Sequence, residues 1–288
     1  MKNRREFLKL GGLLTLGSLT GAADLFAYSN PIMEKMIGLQ LYSLRKDMAK
    51  EPKKMLEKVA EIGFKTLETA DYKDGKIYDM SPSDFRALTS DLGMRLTSAH
   101  LGGPNYNQTR NGEALDWWKK AIEDHVEAGL NFIIKPSMPK PKTLKELDGW
   151  CEYFNNIGLL SKASDIKFGF HNHAGEFVKI EDEIMYDYML NHTDPDLVCY
   201  EMDVYWVTKG GHNPVDYLEK YPGRFPLLHI KDEKELGESG LMDYGPIFEA
   251  AYKQGMRDFY VEVERYNYEP IESVAKSFNY LHQAAYVK

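Results

Sequence analysis

The chain of 288 residues is short of cysteine, carrying two, and poor in tryptophan, carrying four. Cys151 and Cys199 are too few for a disulfide framework or a cysteine-type zinc site, and neither stands in a redox spacing. Whether they pair with each other is left open by the sequence. Positive charge is also in deficit: 36 lysines and arginines face 44 aspartates and glutamates, a net charge of −8. No basic tract interrupts the body of the chain, so the footprint of a phosphate-backbone binder is missing and no nucleic-acid partner is expected. What is present, 43% hydrophobic and 28% charged residues, is the composition of an ordered globular protein, which removes disordered, collagenous and membrane-channel readings.

The first 27 residues differ from the rest. Lys2, Arg4, Arg5 and Lys9 precede an apolar, glycine-containing run from Leu10 to Leu19, and small residues lead to Ala27. This order of basic, apolar and small segments is that of a signal peptide. Asn3-Arg4-Arg5-Glu6-Phe7-Leu8-Lys9 resembles the twin-arginine export motif, with Gly21-Ala22-Ala23 and Leu25-Phe26-Ala27 as alternative cleavage sites. The competing reading is a basic amphipathic helix capping the domain. Export to the periplasm is the expectation, leaving residues 28–288 as a mature domain with no membrane segment. Four cations and two anions leave with the leader, so the mature chain carries about −10.

Beyond the leader, short apolar runs recur at 37–42, 65–70, 95–100, 132–135, 167–172, 198–204, 227–231 and 259–264, their starts 28 to 37 residues apart. Each interval holds a helix-period segment. Ser81-Pro82 reads as a helix N-cap with proline at the first position, and Thr143 with Glu146 as a capping box. Gly63, Gly93, Gly129 and Gly255 stand where helices should end. Eight strand-helix units predict an α/β fold of one domain, a (β/α)8 TIM barrel. The runner-up, a doubly wound open sheet, usually carries a glycine-rich phosphate turn after its first strand, where Leu41-Tyr42-Ser43-Leu44-Arg45 stands instead.

In such a barrel, chemistry belongs to the C-terminal strand ends. Those ends carry Gln40, Glu68, His100, Lys135, His171 with His173, Asp203, His229 with Lys231, and Glu262 with Glu264. Ionisable groups in buried strands cost several kcal/mol unless paired or metal-bound. For any one of them a satisfied hydrogen bond is explanation enough. Together, His100, His171 and His229 with the carboxylates Asp203 and Glu262 form the ring that a divalent cation requires. Tyr42, Tyr72, Tyr106, Trp206 and Tyr266 fall near strand ends, where rings cover sugar faces, whereas Trp117 and Trp118 sit in a helical segment and are expected to pack outside the barrel.

Four segments carry a resemblance: Gly169-Phe170-His171-Asn172-His173-Ala174-Gly175-Glu176-Phe177, Glu201-Met202-Asp203-Val204-Tyr205-Trp206, Leu227-Leu228-His229-Ile230-Lys231-Asp232 and Tyr260-Val261-Glu262-Val263-Glu264. With the opening Leu39-Gln40-Leu41-Tyr42-Ser43-Leu44-Arg45, they resemble the xylose isomerase-like TIM barrels known as sugar phosphate isomerases/epimerases. The resemblance spans essentially the whole mature chain. It implies metal ligands His171, Asp203, His229 and Glu262 on strands five to eight, for Mn, Co, Zn or Mg. Strand five departs from the pattern: tagatose epimerase-like members place a glutamate where this chain has His171, which puts a two-glutamate mechanism in doubt. The His-Asn-His and His-Ile-Lys-Asp segments are similar to inosose dehydratase, and this similarity gives His171 or His173 the role of base.

These observations lead to a metal-dependent enzyme that takes a proton from carbon next to a polarised carbonyl or hydroxyl of a small carbohydrate. His171, His173, Glu262 and Lys231 are its expected catalytic residues. Gln40, Glu68, His100, Lys135, Glu176 and Trp206 are its expected sugar contacts. For Lys135 and Glu68 a salt-bridge network beneath the loops is an equal alternative. Isomerisation or epimerisation of an unphosphorylated saccharide is the leading expectation. Elimination from a keto-sugar or keto-glycoside comes second, and a non-catalytic sugar-binding barrel or an endonuclease stands further off.

Overall fold

A computed structural model describes residues 35–288 apart from 108 and 110. The expected export leader, residues 1–27, lies outside the described residues. Eight parallel strands close into a barrel: β1 Gly38–Gln40, β2 Thr66–Thr69, β3 Arg95–His100, β4 Phe132–Lys135, β5 Lys167–His171, β6 Val198–Asp203, β7 Leu227–Lys231 and β8 Asp258–Glu262. Their order round the barrel is β1-β8-β7-β6-β5-β4-β3-β2, that of the expected TIM barrel.

Strand side chains alternate between the helix layer and the barrel interior, so residues two apart stack along the inside. The floor of the interior is a separate apolar cluster of Phe132, Ile134, Cys199, Leu227 and Tyr260. One step of two residues above it, the same strands present Glu201, His229 and Glu262. The register sets these polar groups beside one another. Asp203 pairs with His229, Glu262 with Lys231, His171 with Glu201, and Gln40 with Glu68. Gly38 keeps the floor narrow: a Cβ there would stand 2.6 Å from Phe259 O, Thr66 Oγ1 and Tyr260 Cδ1.

The outer layer follows its punctuation. Ser81 caps Pro82–Asp91 by accepting from Asp84 N, and Gly63 ends Pro52–Ile62 in the left-handed region at φ 116°. Thr143 Oγ1 accepts from Glu146 N as expected, but the Glu146 carboxylate reaches one residue further back and takes Lys142 N at 2.7 Å. The sequence expectation of one helix per interval fails between β1 and β2, where Arg45–Met48 and Pro52–Ile62 follow in turn, and between β6 and β7, where Val204–Lys209 and Pro214–Lys220 do. A small hairpin, Lys179–Ile180 with Glu183–Ile184, also follows β5. β1 ends earlier than expected because Leu41–Leu44 turns into a 3-10 helix, Gln40 Oε1 accepting from Tyr42 N at 3.0 Å.

Trp118 is fully buried against the barrel wall, its indole N–H donating to Tyr153 OH at 2.8 Å. Both cysteines are buried and free, so no disulfide links them. Among the described residues no helix is long and apolar enough to cross a membrane.

Candidate active site

The C-terminal strand ends converge on a cleft of about 310 Å³ whose lining includes Tyr42, His100, His171, His173, Glu262 and Glu264, with no lysine or arginine among the described residues. Its floor holds two sets of ligand-type side chains, each with its donor atoms within 4.8 Å of one another: His171, Asp203, His229 and Glu262, and below them His100, His171, Glu201 and His229. His171 and His229 belong to both. The ring atoms divide between the sets. His171 turns Nε2 toward Asp203 Oδ2 at 4.0 Å and Nδ1 toward Glu201 Oε2 at 3.2 Å. His229 turns Nδ1 toward Glu262 Oε2 at 3.3 Å and Nε2 toward Glu68 Oε2 at 2.6 Å.

Asp203 ends β6 and caps the helix that follows, its Oδ1 accepting from Trp206 N at 2.9 Å. Asn172 clasps the Asp203 backbone, accepting from its N–H at 3.1 Å and donating to its carbonyl at 3.3 Å. Asp203 Oδ2, by contrast, is buried with no hydrogen-bond partner, as is Glu201 Oε1. An unpartnered buried carboxylate oxygen costs several kcal/mol, and burial accordingly pushes the Asp203 carboxyl up to about 7. An oxygen in that state, facing two imidazoles and a second carboxylate, is the donor set that a divalent cation satisfies. His171, Asp203, His229 and Glu262 therefore fit the metal of the resemblance.

Glu262 is held differently. Burial would raise its carboxyl, but Lys231 at 2.9 Å and His229 at 3.3 Å hold it well below the usual carboxylate range. Lys231 also pairs with Glu264 at 2.6 Å, and these carboxylates keep its ammonium charged against burial. His173 begins the turn after β5. Its backbone N–H is fixed by Glu176 Oε2 at 2.7 Å, and burial lowers its imidazole pKa, favouring the neutral form.

Several expected sugar contacts lie elsewhere. Gln40 and Glu68 are fully buried beneath the cleft, joined at 2.5 Å, with Glu68 also accepting from Ser98 at 2.6 Å. Glu68 is thus no sugar contact but part of a buried ion-pair network, its Oε2 2.6 Å from His229 and 3.3 Å from His100, which is the salt-bridge alternative. Lys135 is buried too, donating to the carbonyls of Gly102 and Gly103 at 3.0 and 3.3 Å, so for this residue the salt-bridge alternative fails. Glu176 is spent on capping rather than facing solvent. Tyr72 packs on Trp117 and His125, and Tyr106 on Trp150 and Tyr153, which removes both from the cleft, while Tyr42 stands at its mouth. Trp206 lies 5.7 Å from His173, ring to ring, and under Lys231. His100 reaches the cleft and donates to Glu201 Oε2 at 2.6 Å.

Glu201 was missed by sequence reasoning. The signal was available: Glu201-Met202-Asp203 puts two carboxylates two residues apart, hence on one face of a strand. Residues 56–284 match the xylose isomerase-like TIM barrel family.

The chain belongs to the xylose isomerase-like TIM barrel family. Within it, the chain is similar to inosose dehydratase of Clostridium perfringens, 30% identical over 78% of this chain and 80% of that one. It is also similar to inosose dehydratase of Geobacillus kaustophilus, 27% identical over 62% of this chain. That match spans 61% of the Geobacillus protein, under two thirds of its length. Among solved structures, a sugar phosphate isomerase/epimerase from Parabacteroides distasonis superposes with a TM-score of 0.84 at 34% identity, covering 88% of this chain and all of that one. As a xylose isomerase-like barrel, the chain keeps its chemistry-bearing residues where the fold places active sites, at the C-terminal face.

Proposed function

We propose that the protein is a divalent-metal-dependent carbohydrate enzyme that removes a proton from carbon adjacent to a carbonyl, the released electron pair forming an alkene and expelling the oxygen substituent of the next carbon, which leaves with a proton as water or an alcohol. The observation that carries this reading is the buried, unpartnered Asp203 Oδ2 beside His171, His229 and Glu262 at the floor of an open cleft. The ion would supply Lewis acidity, drawing electron density from the substrate oxygens and easing loss of the neighbouring proton.

The remaining work falls to the protein's own side chains. His173, neutral and on the cleft wall, takes the carbon-bound proton. Glu176 fixes the turn that aims it. Lys231 keeps Glu262 ionised and offsets part of its repulsion of Asp203. Tyr42 at the mouth and Trp206, packed on His173, shield that imidazole from water. A cleft lined by Glu262 and Glu264, with no lysine or arginine among the described residues that line it, suits an unphosphorylated saccharide or keto-glycoside better than a sugar phosphate.

Elimination is preferred because His171 stands on β5, so the cleft lacks a second free glutamate opposite Glu262. The inosose dehydratase relatives support it. Isomerisation or epimerisation is the second reading, favoured by the Parabacteroides structure. Incubation of the metal-loaded protein with keto-glycosides and with inosose in deuterated water, followed by NMR, tests both. Deuterium uptake at the carbon beside the carbonyl, lost by a hundredfold or more in His173→Gln, is expected. A new alkene carbon marks elimination, and inverted stereochemistry marks epimerisation. Absence of exchange with every keto-sugar would leave a sugar-binding barrel.

Residues 1–27 are proposed to direct export to the periplasm. Lysine at both Arg4 and Arg5 should hold the protein inside the cell, and unchanged export would dismiss the twin-arginine route.

A further inference from the structure

Beneath the four residues that would hold a metal lies a second storey of buried polar groups with no role in the proposed chemistry. Glu68 and Glu201 are both fully buried, and neither lines the cleft. Buried carboxylates are retained only where hydrogen bonds compensate for lost water. Here the compensation comes from the backs of the imidazoles. Glu201 Oε2 lies 3.2 Å from His171 Nδ1 and 2.6 Å from His100 Nε2. Glu68 Oε2 lies 2.6 Å from His229 Nε2 and 2.5 Å from Gln40 Nε2, while its Oε1 takes Ser98 Oγ.

A neutral imidazole has one N–H and one lone pair, so a carboxylate that claims the N–H decides which nitrogen is left to bind a cation. The two claims point oppositely. Glu201 takes the Nδ1 side of His171, leaving Nε2 toward Asp203. Glu68 takes the Nε2 side of His229, leaving Nδ1 toward Glu262. We infer that Glu68 and Glu201 are positioning residues that grip the two metal-holding imidazoles from behind and make them offer opposite ring nitrogens, Nε2 from His171 and Nδ1 from His229. His100, bonded to Glu201 and 3.3 Å from Glu68 Oε2, ties the two grips together. In the lower set Glu201 Oε2 is already taken by His100 at 2.6 Å and faced by His171 and His229 at 3.2 Å, too close for those donors to surround an ion, whereas in the upper set His171 Nε2 stands 4.0 Å from Asp203 Oδ2 and His229 Nδ1 3.3 Å from Glu262 Oε2.

This inference rests on the metal reading above, and one experiment separates their failures. Zinc is titrated into full-length protein with ¹⁵N-labelled histidine, and two-bond ¹H–¹⁵N spectra report which nitrogen of each ring is protonated and which is coordinated. Coordination through His171 Nε2 and His229 Nδ1 is the expected result. Glu201→Gln and Glu68→Gln should each weaken zinc binding 10- to 100-fold with the far-ultraviolet circular dichroism unchanged. The wild-type spectrum stands alone should either variant fail to fold. Coordination of His171 through Nδ1 would place the ion in the lower set and overturn the inference, as would the same ring nitrogen in both histidines or variants that bind within twofold of wild type. A wild-type protein that binds no zinc would overturn the metal reading itself, and this inference with it.

Discussion

At the scale of the residue, Asp203 concentrates the argument, because the strand end, the helix cap and the unpartnered oxygen meet in one side chain. Its carboxyl, pushed up to about 7 by burial, is half protonated near neutrality in the metal-free protein. A cation binds only the ionised form, so proton and metal compete. The sign follows: below pH 7 affinity falls as protons take Asp203, and above pH 7 it still rises, because the surrounding carboxylates hold His229 protonated and its proton must also leave. Calorimetric titration with Mn or Zn should show affinity dropping at least about tenfold per pH unit between pH 7 and pH 5, steeper because His229 must also give up a proton, while burial keeps His171 neutral. An affinity independent of pH over that range would contradict the assigned ligand.

Lys135 supplies a second residue-scale test. Burial lowers its ammonium to about 8, and its partners are the carbonyls of Gly102 and Gly103 rather than carboxylates. Between pH 8 and the ordinary lysine value the unfolded chain binds more protons than the folded one, so this residue's contribution to stability rises with pH. Lys135→Met removes that slope. The variant should gain on wild type at pH 7 and lose the advantage by pH 10, by urea denaturation at both values. A constant difference would show that Lys135 is solvated as usual.

Elements carry the site through register. The inner faces of β6, β7 and β8 rise from Cys199, Leu227 and Tyr260 to Glu201, His229 and Glu262 in steps of two, so the floor sets the height of every ligand. Gly38 leaves room for that floor. Gly38→Ala would push a methyl against Phe259 O, Thr66 Oγ1 and Tyr260 Cδ1 and should cost about 1–3 kcal/mol, seen as a lowered Tm. A variant as stable as wild type would mean that the floor has slack, and the ligand heights would then lose their fixed reference.

At the scale of the whole molecule, the barrel was legible because eight apolar runs of even spacing have few other solutions. Strand ends were less so: β1 stops at Gln40 because that side chain caps the turn after it, a competition between ladder and cap that hydrophobicity does not record. Asp203, His229, Glu262 and His171 were readable as polar groups where only apolar ones belong. Glu201 was passed over because Asp203 explained the same segment. Gln40, Glu68 and Lys135 stand at strand ends in the sequence but deep in the barrel, because sequence tells which strand end a group occupies and not its depth along the barrel axis. The pair Cys151 and Cys199 is resolved by topology, one on the Leu144–Lys162 helix and the other on the barrel floor.

The account stands or falls on whether the strand ends hold a cation. Elemental mass spectrometry of the purified protein, reconstituted with Mn, Co, Zn or Mg and then freed of excess, measures it directly. Near one ion per chain is predicted, removable by chelator and mostly lost in Asp203→Ala and His229→Ala while circular dichroism still reports a folded barrel. Substoichiometric metal after reconstitution, or equal metal in wild type and both variants, would contradict the assignment.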